Sequence, residues 1–285
     1  MQFSIYRRFR IIATMTQTSF QKILRAIQKD GTTSLHVLSD FDRTLTKPYV
    51  NGKKVPSLIS VLRDHNYLTP DYTAKARALF EKYHPIEMDM QIEPEEKKKS
   101  MHEWWMRHFE LLIASGLTRD NIRQAMSARH ARLRDGAHEF FDLLRNNGIP
   151  LIIMSSSGLG VESIQFFLEA EHEMDDNVSV ISNQYEWNDS GKAIGIKQPI
   201  IHGLNKDETL IQNFPDIFKR IEQRTNIILL GNSPSDLGMA SGFAHTHLFS
   251  IGFLNAQDGN SGFDMELDSQ ATLTKVTRLL SSLIK

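Results

Sequence analysis

The chain has 285 residues, enough for one large α/β domain carrying an inserted second domain, and its 40% hydrophobic and 24% charged residues exclude wholesale disorder and a fibrous architecture. Its 33 basic and 34 acidic residues leave a formal net charge of −1, which offers no field for a nucleic-acid polymer or a membrane surface. The absence of cysteine excludes disulfides, thiolate metal sites and cysteine nucleophiles, so a reducing, cytoplasmic compartment is the expectation.

At the N-terminus, residues 1–29 carry Arg7, Arg8, Arg10, Lys22, Arg25 and Lys29 and no acid. That pattern resembles a mitochondrial presequence. The alternative is an N-terminal extension over residues 1–16, with Met15 as a second candidate start, followed by an amphipathic helix from about Thr18. Phe20, Ile23, Leu24 and Ile27 recur at helical spacing and favour this second reading.

Strand-type runs follow at Leu35 to Ser39, Pro150 to Ser155, Val178 to Ser182, Thr225 to Gly231 and His247 to Gly252. Helix-type segments at Phe140 to Arg145 and Val161 to Glu171 alternate with the later strands, so a parallel sheet is expected, with ligands beyond the carboxyl ends of its strands. Between the first two runs lie more than a hundred residues without convincing strands. Helical periodicity there covers Thr73 to Tyr83, Glu95 to Ala114 and Arg119 to Arg134. An insertion directly after the first strand sits over that strand's carboxyl end, where a lid excludes water and reads a ligand. The run Glu95-Glu96-Lys97-Lys98-Lys99 reads as a solvated helix face. All apolar runs are strand-sized, far below the roughly 18 residues of a membrane helix.

The residues that carry chemistry begin at the end of the first strand, in Leu38-Ser39-Asp40-Phe41-Asp42-Arg43-Thr44. In an extended backbone, residues i and i+2 point the same way, so Asp40 and Asp42 converge. Converging carboxylates repel unless a cation or a shared proton relieves them, and magnesium suits one or two carboxylates plus a substrate phosphate. Asp40 is then placed to attack phosphorus, and Asp42 to protonate the leaving oxygen and later deprotonate water. A bare Asp-x-Asp also fits an Asx-turn closing an ordinary strand. Three later signals decide against that: the serine-rich strand end Met154-Ser155-Ser156-Ser157-Gly158, Lys206, and the loop Gly231-Asn232-Ser233-Pro234-Ser235-Asp236-Leu237.

In this order, the four signals resemble the motifs of the haloacid dehalogenase superfamily. The cap segments Tyr83-His84-Pro85-Ile86-Glu87 and His102-Glu103-Trp104-Trp105 extend the resemblance to its cytosolic 5′-nucleotidase III, or pyrimidine 5′-nucleotidase, group. Val180 to Asn183, Leu204 to Lys206 and Ile251 to Asn255 add to it, and the similarity runs from about Phe20 to the C-terminus. The resemblance implies hydrolysis of a nucleoside 5′-monophosphate through an aspartyl-phosphate, with Mg²⁺ on Asp40, Asp42, Asn232 and Asp236. Phosphate falls to Ser155 or Ser156 and to Lys206, and the base to Glu87 and an aromatic of the cap. Adjacent helical residues face about 100° apart, so one tryptophan is expected in the cap core and the other, Trp105, in the cleft. The doublet resembles the branch that accepts 7-methylguanosine monophosphate as well as cytidine monophosphate.

This chain departs from the family pattern at three places. Asn232 stands where the family has a metal-ligating aspartate; the serine motif offers two registers; and His108 replaces a cap serine associated with nucleotide contact. The expected fold is a Rossmann-like parallel sheet core at 17–48 plus 136–285 with an inserted helical cap at 49–135, monomeric, binding neither nucleic-acid polymer nor membrane. Two other functions fit the same residues: a nucleotide-binding protein weakened by Asn232, and a nucleoside phosphotransferase, since any well-placed hydroxyl can intercept an aspartyl-phosphate.

Overall fold

A computed structural model describes residues 17–55, 57–65, 67–89, 91–206, 211–242, 244–255 and 261–284. The extension over residues 1–16, and with it most of the presequence reading, lies outside the described residues. The chain opens with α1 (Gln17–Asp30) and β1 (Leu35–Ser39), then a short hairpin of β2 (Tyr49–Val50) and β3 (Lys53–Lys54). Helices α2 (Leu58–Asp64), α3 (Tyr72–Met88), α4 (Pro94–Ala114), α5 (Arg119–Ser127) and α6 (Ala137–Asn146) follow. Next come β4 (Leu151–Met154), α7 (Gly160–Ala170), β5 (Val178–Ile181) and the hairpin of β6 (Tyr185–Trp187) and β7 (Ala193–Ile196). The chain closes with α8 (Pro215–Ile221), β8 (Asn226–Gly231), β9 (His247–Leu254), β10 (Met265–Asp268) and α9 (Thr274–Leu283).

Six strands form one parallel sheet in the order β10-β9-β8-β1-β4-β5. Each residue of β1, β4 and β8 is buried, as expected where helices cover both faces. Alternation along the strands splits their apolar residues between two layers. Leu35, Val37, Ile153, Ile228 and Leu230 pack on one side, and Leu38, Ile152, Met154, Ile227 and Leu229 on the other. The order reverses direction at β1, with β4 on one side and β8 on the other. A crevice therefore opens at the carboxyl ends of these three strands.

The segment between β1 and β4 is mainly helical, but the structure corrects two expectations there. The hairpin β2–β3 was not expected, since two residues per strand carry no readable period. Helix α5 ends at Ser127 rather than Arg134: Arg129 turns into the left-handed region at φ 56°, and the chain then runs extended beside residues 45–47. Here Thr46 bridges Leu133, Lys47 N–H donates to Arg132 O at 3.0 Å, and Arg134 N–H to Leu45 O at 2.8 Å. The outgoing and returning chains are thus laced together. A second tie joins the β6–β7 hairpin to the α4–α5 connection, where Arg119 N–H donates to Gly191 O at 3.0 Å and Ala193 N–H to Leu117 O at 2.9 Å. Among the described residues, no helix is long and apolar enough to cross a membrane.

Candidate active site

The sheet places Asp40 first. Beyond Ser39, the Asp40 N–H continues the β1–β8 ladder onto Leu230 O at 2.9 Å. The chain then turns tightly, with Thr44 and Leu45 N–H groups both donating to Phe41 O at 3.3 and 3.0 Å and Arg43 at φ 64°. Phe41 is fully buried and meets Phe167 edge-on at 5.5 Å, so it anchors the turn in the core between the two aspartates.

Asp40 is 6% exposed, as is Lys206. One Asp40 oxygen accepts from the Thr44 hydroxyl at 3.0 Å and the other from the Lys206 ammonium. Lys206 also donates to Asp236 at 2.9 Å, forming a buried triad of two carboxylates and one cation. Burial raises the Asp40 pKa above the carboxylate range; Lys206 opposes this, and Asp236 and Asp42 add to it. Burial works against the Lys206 charge, but Asp236 and Asp40 outweigh it and push its pKa up. Asp42 is also raised by burial, against the opposing influence of Arg43, Lys206 and the Leu58 N–H at the start of α2. A raised carboxyl favours the protonated form that a general acid needs.

The loop after β8 completes the floor. Asp236 accepts from the backbone N–H groups of Asn232 and Ser233 at 2.9 and 3.0 Å, tying the loop back on itself. Gly231 permits this approach, since a Cβ there would lie 2.6 Å from the Asp236 Cβ. The Asn232 side-chain amide donates to the Asp42 backbone carbonyl at 2.8 Å. At the end of β4, Ser155 is buried and its N–H reaches Ile181 O at 2.9 Å, whereas Ser156 is half-buried. Neither hydroxyl bonds to another described residue, so both stay available to phosphate. Ser157 instead pins the turn, with its Oγ 3.0 Å from Ser163 Oγ and accepting from Leu159 N–H at 3.3 Å.

A cavity of about 170 Å³ adjoins these motifs, lined by Ser57, Tyr72, Phe80, Trp105, His108 and Gly158 among others. Both tryptophans line it, against the expectation that only Trp105 would: Trp104 is 8% exposed and stacks on Tyr83 at 5.8 Å, and Trp105 donates from Nε1 to Ser156 O at 3.3 Å. Burial lowers the His108 pKa to about 4, so its imidazole is neutral at physiological pH. Glu87, on the last turn of α3, does not line this cavity. Its carboxylate lies 3.1 Å from His84 Nδ1, and its backbone carbonyl accepts from Lys97 at 3.1 Å. The sequence reading missed most of the lining contributed by α2 and α3, including Ser60, Arg63, Tyr72 and Phe80. The Tyr72 hydroxyl is buried with no hydrogen-bond partner among the described residues. Helical spacing marks Tyr72 only as an inward-facing aromatic.

Among the described residues, no three His, Cys, Asp or Glu side chains cluster as a metal site. The candidate donors are hard oxygens of mixed kind: the Asp40 carboxylate, and the Asp42 backbone carbonyl with the Asn232 amide 2.8 Å from it. The two ends of an amide are interchangeable by rotation, so the Asn232 oxygen can take the place of its nitrogen beside the Asp42 carbonyl. This set fits Mg²⁺, which takes few protein ligands and keeps several waters or phosphate oxygens.

A family model described as pyrimidine 5′-nucleotidase (UMPH-1) matches residues 43–283. The 7-methylguanosine phosphate-specific 5′-nucleotidase of Gallus gallus is 35% identical over 265 residues, covering 90% of this chain and 91% of that protein. Its Homo sapiens namesake is 34% identical over 273 residues, covering 93% and 89%. Cytosolic 5′-nucleotidase IIIB bound to cytidine superposes with a TM-score of 0.84 at 32% identity, over 97% of this chain and 93% of that one. A phosphoserine phosphatase in apo form shares the fold at a TM-score of 0.52 and 16% identity.

Proposed function

The chain belongs to the pyrimidine 5′-nucleotidase family and is a 5′-nucleotidase, and we propose that it hydrolyses its nucleotide with Mg²⁺ through an aspartyl-phosphate on Asp40. The observation that carries this mechanism is the buried Asp40 carboxylate, oriented on one oxygen by Thr44 and faced on the other by Lys206, at the switch point of the sheet.

An Asp40 oxygen attacks phosphorus as the bond from phosphorus to the 5′ oxygen breaks, and protonated Asp42 gives its proton to that leaving oxygen. Asp42, now a carboxylate, takes a proton from water, which attacks the aspartyl-phosphate and releases inorganic phosphate. Lys206 offsets negative charge on the transferring group, and Ser155 or Ser156 holds its remaining oxygens. Asp40, the Asp42 carbonyl and Asn232 would hold the Mg²⁺, with Asp236 fixing the loop and reaching the ion through water. The ion supplies charge neutralisation at the phosphoryl oxygens.

The segment at 49–135 acts as the cap and the remainder from residue 17 as the catalytic core. Trp105 stacks on the base, with His108 beside it and Glu87 brought in from the end of α3 when nucleotide binds. The substrate is a pyrimidine nucleotide such as cytidine monophosphate, and 7-methylguanosine monophosphate as well. The relatives' names and the cytidine-bound neighbour support both. We place the enzyme in the cytosol as a monomer; a Caenorhabditis elegans relative, 31% identical, is named putative cytosolic 5′-nucleotidase 3. A Mg²⁺-dependent phosphate-release screen across nucleoside monophosphates tests the reading. Release confined to these two substrates supports it, and no release from any nucleotide at saturating Mg²⁺ refutes it.

A further inference from the structure

Arg134 lies where the chain returns from the cap, 2% exposed, and no sequence motif marks it. Its guanidinium forms no ion pair with any described carboxylate. It bonds instead to four backbone carbonyls: Nε donates to Thr44 O at 2.7 Å, Nη1 to Ser269 O and Ala271 O at 2.7 Å each, and Nη2 to Arg43 O. The guanidinium carbon stands 4.0 Å over the Phe253 ring, which closes one side. A planar fork of five N–H donors suits such a set of diverging carbonyls, whereas a lysine ammonium offers three donors from one point.

Two of the four acceptors belong to the turn that follows the aspartate pair, and the other two to the connection between β10 and α9. The first pair are consecutive: Arg43, held at φ 64°, and Thr44, fully buried, whose hydroxyl donates to Asp40. The Thr44 side chain can reach Asp40 only while this turn keeps its shape. Because the anchor is the β10–α9 connection, the turn is fixed to the sheet core rather than to the helical segment from which Arg134 returns.

We propose that Arg134 is a positioning residue for the nucleophile: by clamping the Arg43 and Thr44 carbonyls to the β10–α9 connection, it makes the Thr44 hydroxyl aim the Asp40 carboxylate at phosphorus. This rests on Asp40 being the nucleophile. Its action runs through Thr44, so the signature is a loss in kcat rather than in KM.

The test compares Arg134→Lys, Thr44→Val, Thr44→Ser and the double variant Arg134→Lys/Thr44→Val on cytidine monophosphate, with circular dichroism and thermal melting to establish folding. Arg134→Lys and Thr44→Val should each lower kcat by about tenfold or more, since small misplacements of a reacting group are costly, with KM within about twofold. Thr44→Ser, which keeps the hydroxyl, should restore most of the rate. The double variant should be no slower than the worse single variant, because both break one chain of contacts. A folded Arg134→Lys enzyme with parental kcat overturns the proposal, as does a double variant whose losses multiply. Should Arg134→Lys fail to fold, Thr44→Val decides: parental kcat there removes the link through which Arg134 acts. Asp40→Asn separates the two ideas. Turnover by that variant sinks the nucleophile itself, whereas an inactive Asp40→Asn beside a fully active Thr44→Val sinks only the positioning.

Discussion

The Asn232 side-chain amide donates to the Asp42 backbone carbonyl at 2.8 Å, so a neutral side chain stands where the resemblance leads one to expect a charged metal ligand. The same residue's backbone N–H is held by Asp236 at 2.9 Å, which keeps the loop in place whatever the side chain does. Asn232→Asp should therefore change charge without moving the loop. The Mg²⁺ concentration giving half-maximal activity should fall by about tenfold, on the order of one charge-assisted ligand, with kcat at saturating metal near parental. An unchanged magnesium titration, or lower activity at every metal concentration, would show that Asn232 does not face the ion.

Asp40→Asn should abolish phosphate release while nucleotide binding and melting temperature stay close to parental, because the amide keeps the shape and cannot form the acyl phosphate. Asp42→Asn should lose about 10²–10⁴-fold in kcat through missing acid and base catalysis. Single-turnover assays check both; an Asp42→Asn enzyme at full rate would move the proton-transfer role elsewhere.

Trp105 and Trp104 should behave differently on substitution. Trp105→Ala should weaken 7-methylguanosine monophosphate more than cytidine monophosphate, because N7 methylation makes the purine cationic and cation–π attraction adds about 0.5–2 kcal/mol. Trp104→Ala should instead lower the melting temperature, since its ring packs on Tyr83 within the cap. Comparing kcat/KM on the two nucleotides measures the first effect, and an equal loss on both would argue against selective stacking.

Acid should destabilise the fold through His36, which is 1% exposed in β1. Burial lowers its pKa from 6.5 to about 4, while its Nδ1 donates to Arg224 O at 2.8 Å. The unfolded chain therefore takes up a proton between these values that the native state refuses. Its contribution is complete above pH 6.5 and is lost as pH falls toward 4, by at most about 3–4 kcal/mol at roughly 1.4 kcal/mol per pKa unit. Urea unfolding at pH 7.5 and 4.5 should show a smaller difference in His36→Asn than in the parent. Equal differences would assign the acid sensitivity to other groups.

Much of the core was legible because a strand buried on both faces writes itself as an apolar run. Leu35 to Ser39 and the run ending at Gly231 gave their own boundaries, and the chemistry-bearing residues follow at once. Edge strand β10, Met-Glu-Leu-Asp, alternates polar with apolar residues over only four positions, too little to separate from a loop. Spacing predicted that only one of the two tryptophans would reach the cleft, yet both line the cavity. What distinguishes them is the partner each finds, Tyr83 for Trp104 and the Ser156 carbonyl for Trp105.

The amino-acid sequence by itself determined which residue types stand at the strand ends: a carboxylate pair, a serine run, a lysine and an amide-bearing loop, in the order this fold uses them. Only the tertiary structure decided their partners. Lys206 reaches Asp40 across 166 positions of chain, and Arg134 reaches Thr44 and Ser269 across 90 and 135. Parallel pairing puts β4 and β8 on either side of β1, although each is more than a hundred residues away in the chain, so the site's contacts are set by sheet order rather than by local spacing. Arg134 is the extreme case: its acceptors are backbone carbonyls, which every residue possesses, and nothing in the identity of those residues announces that an arginine will bind them.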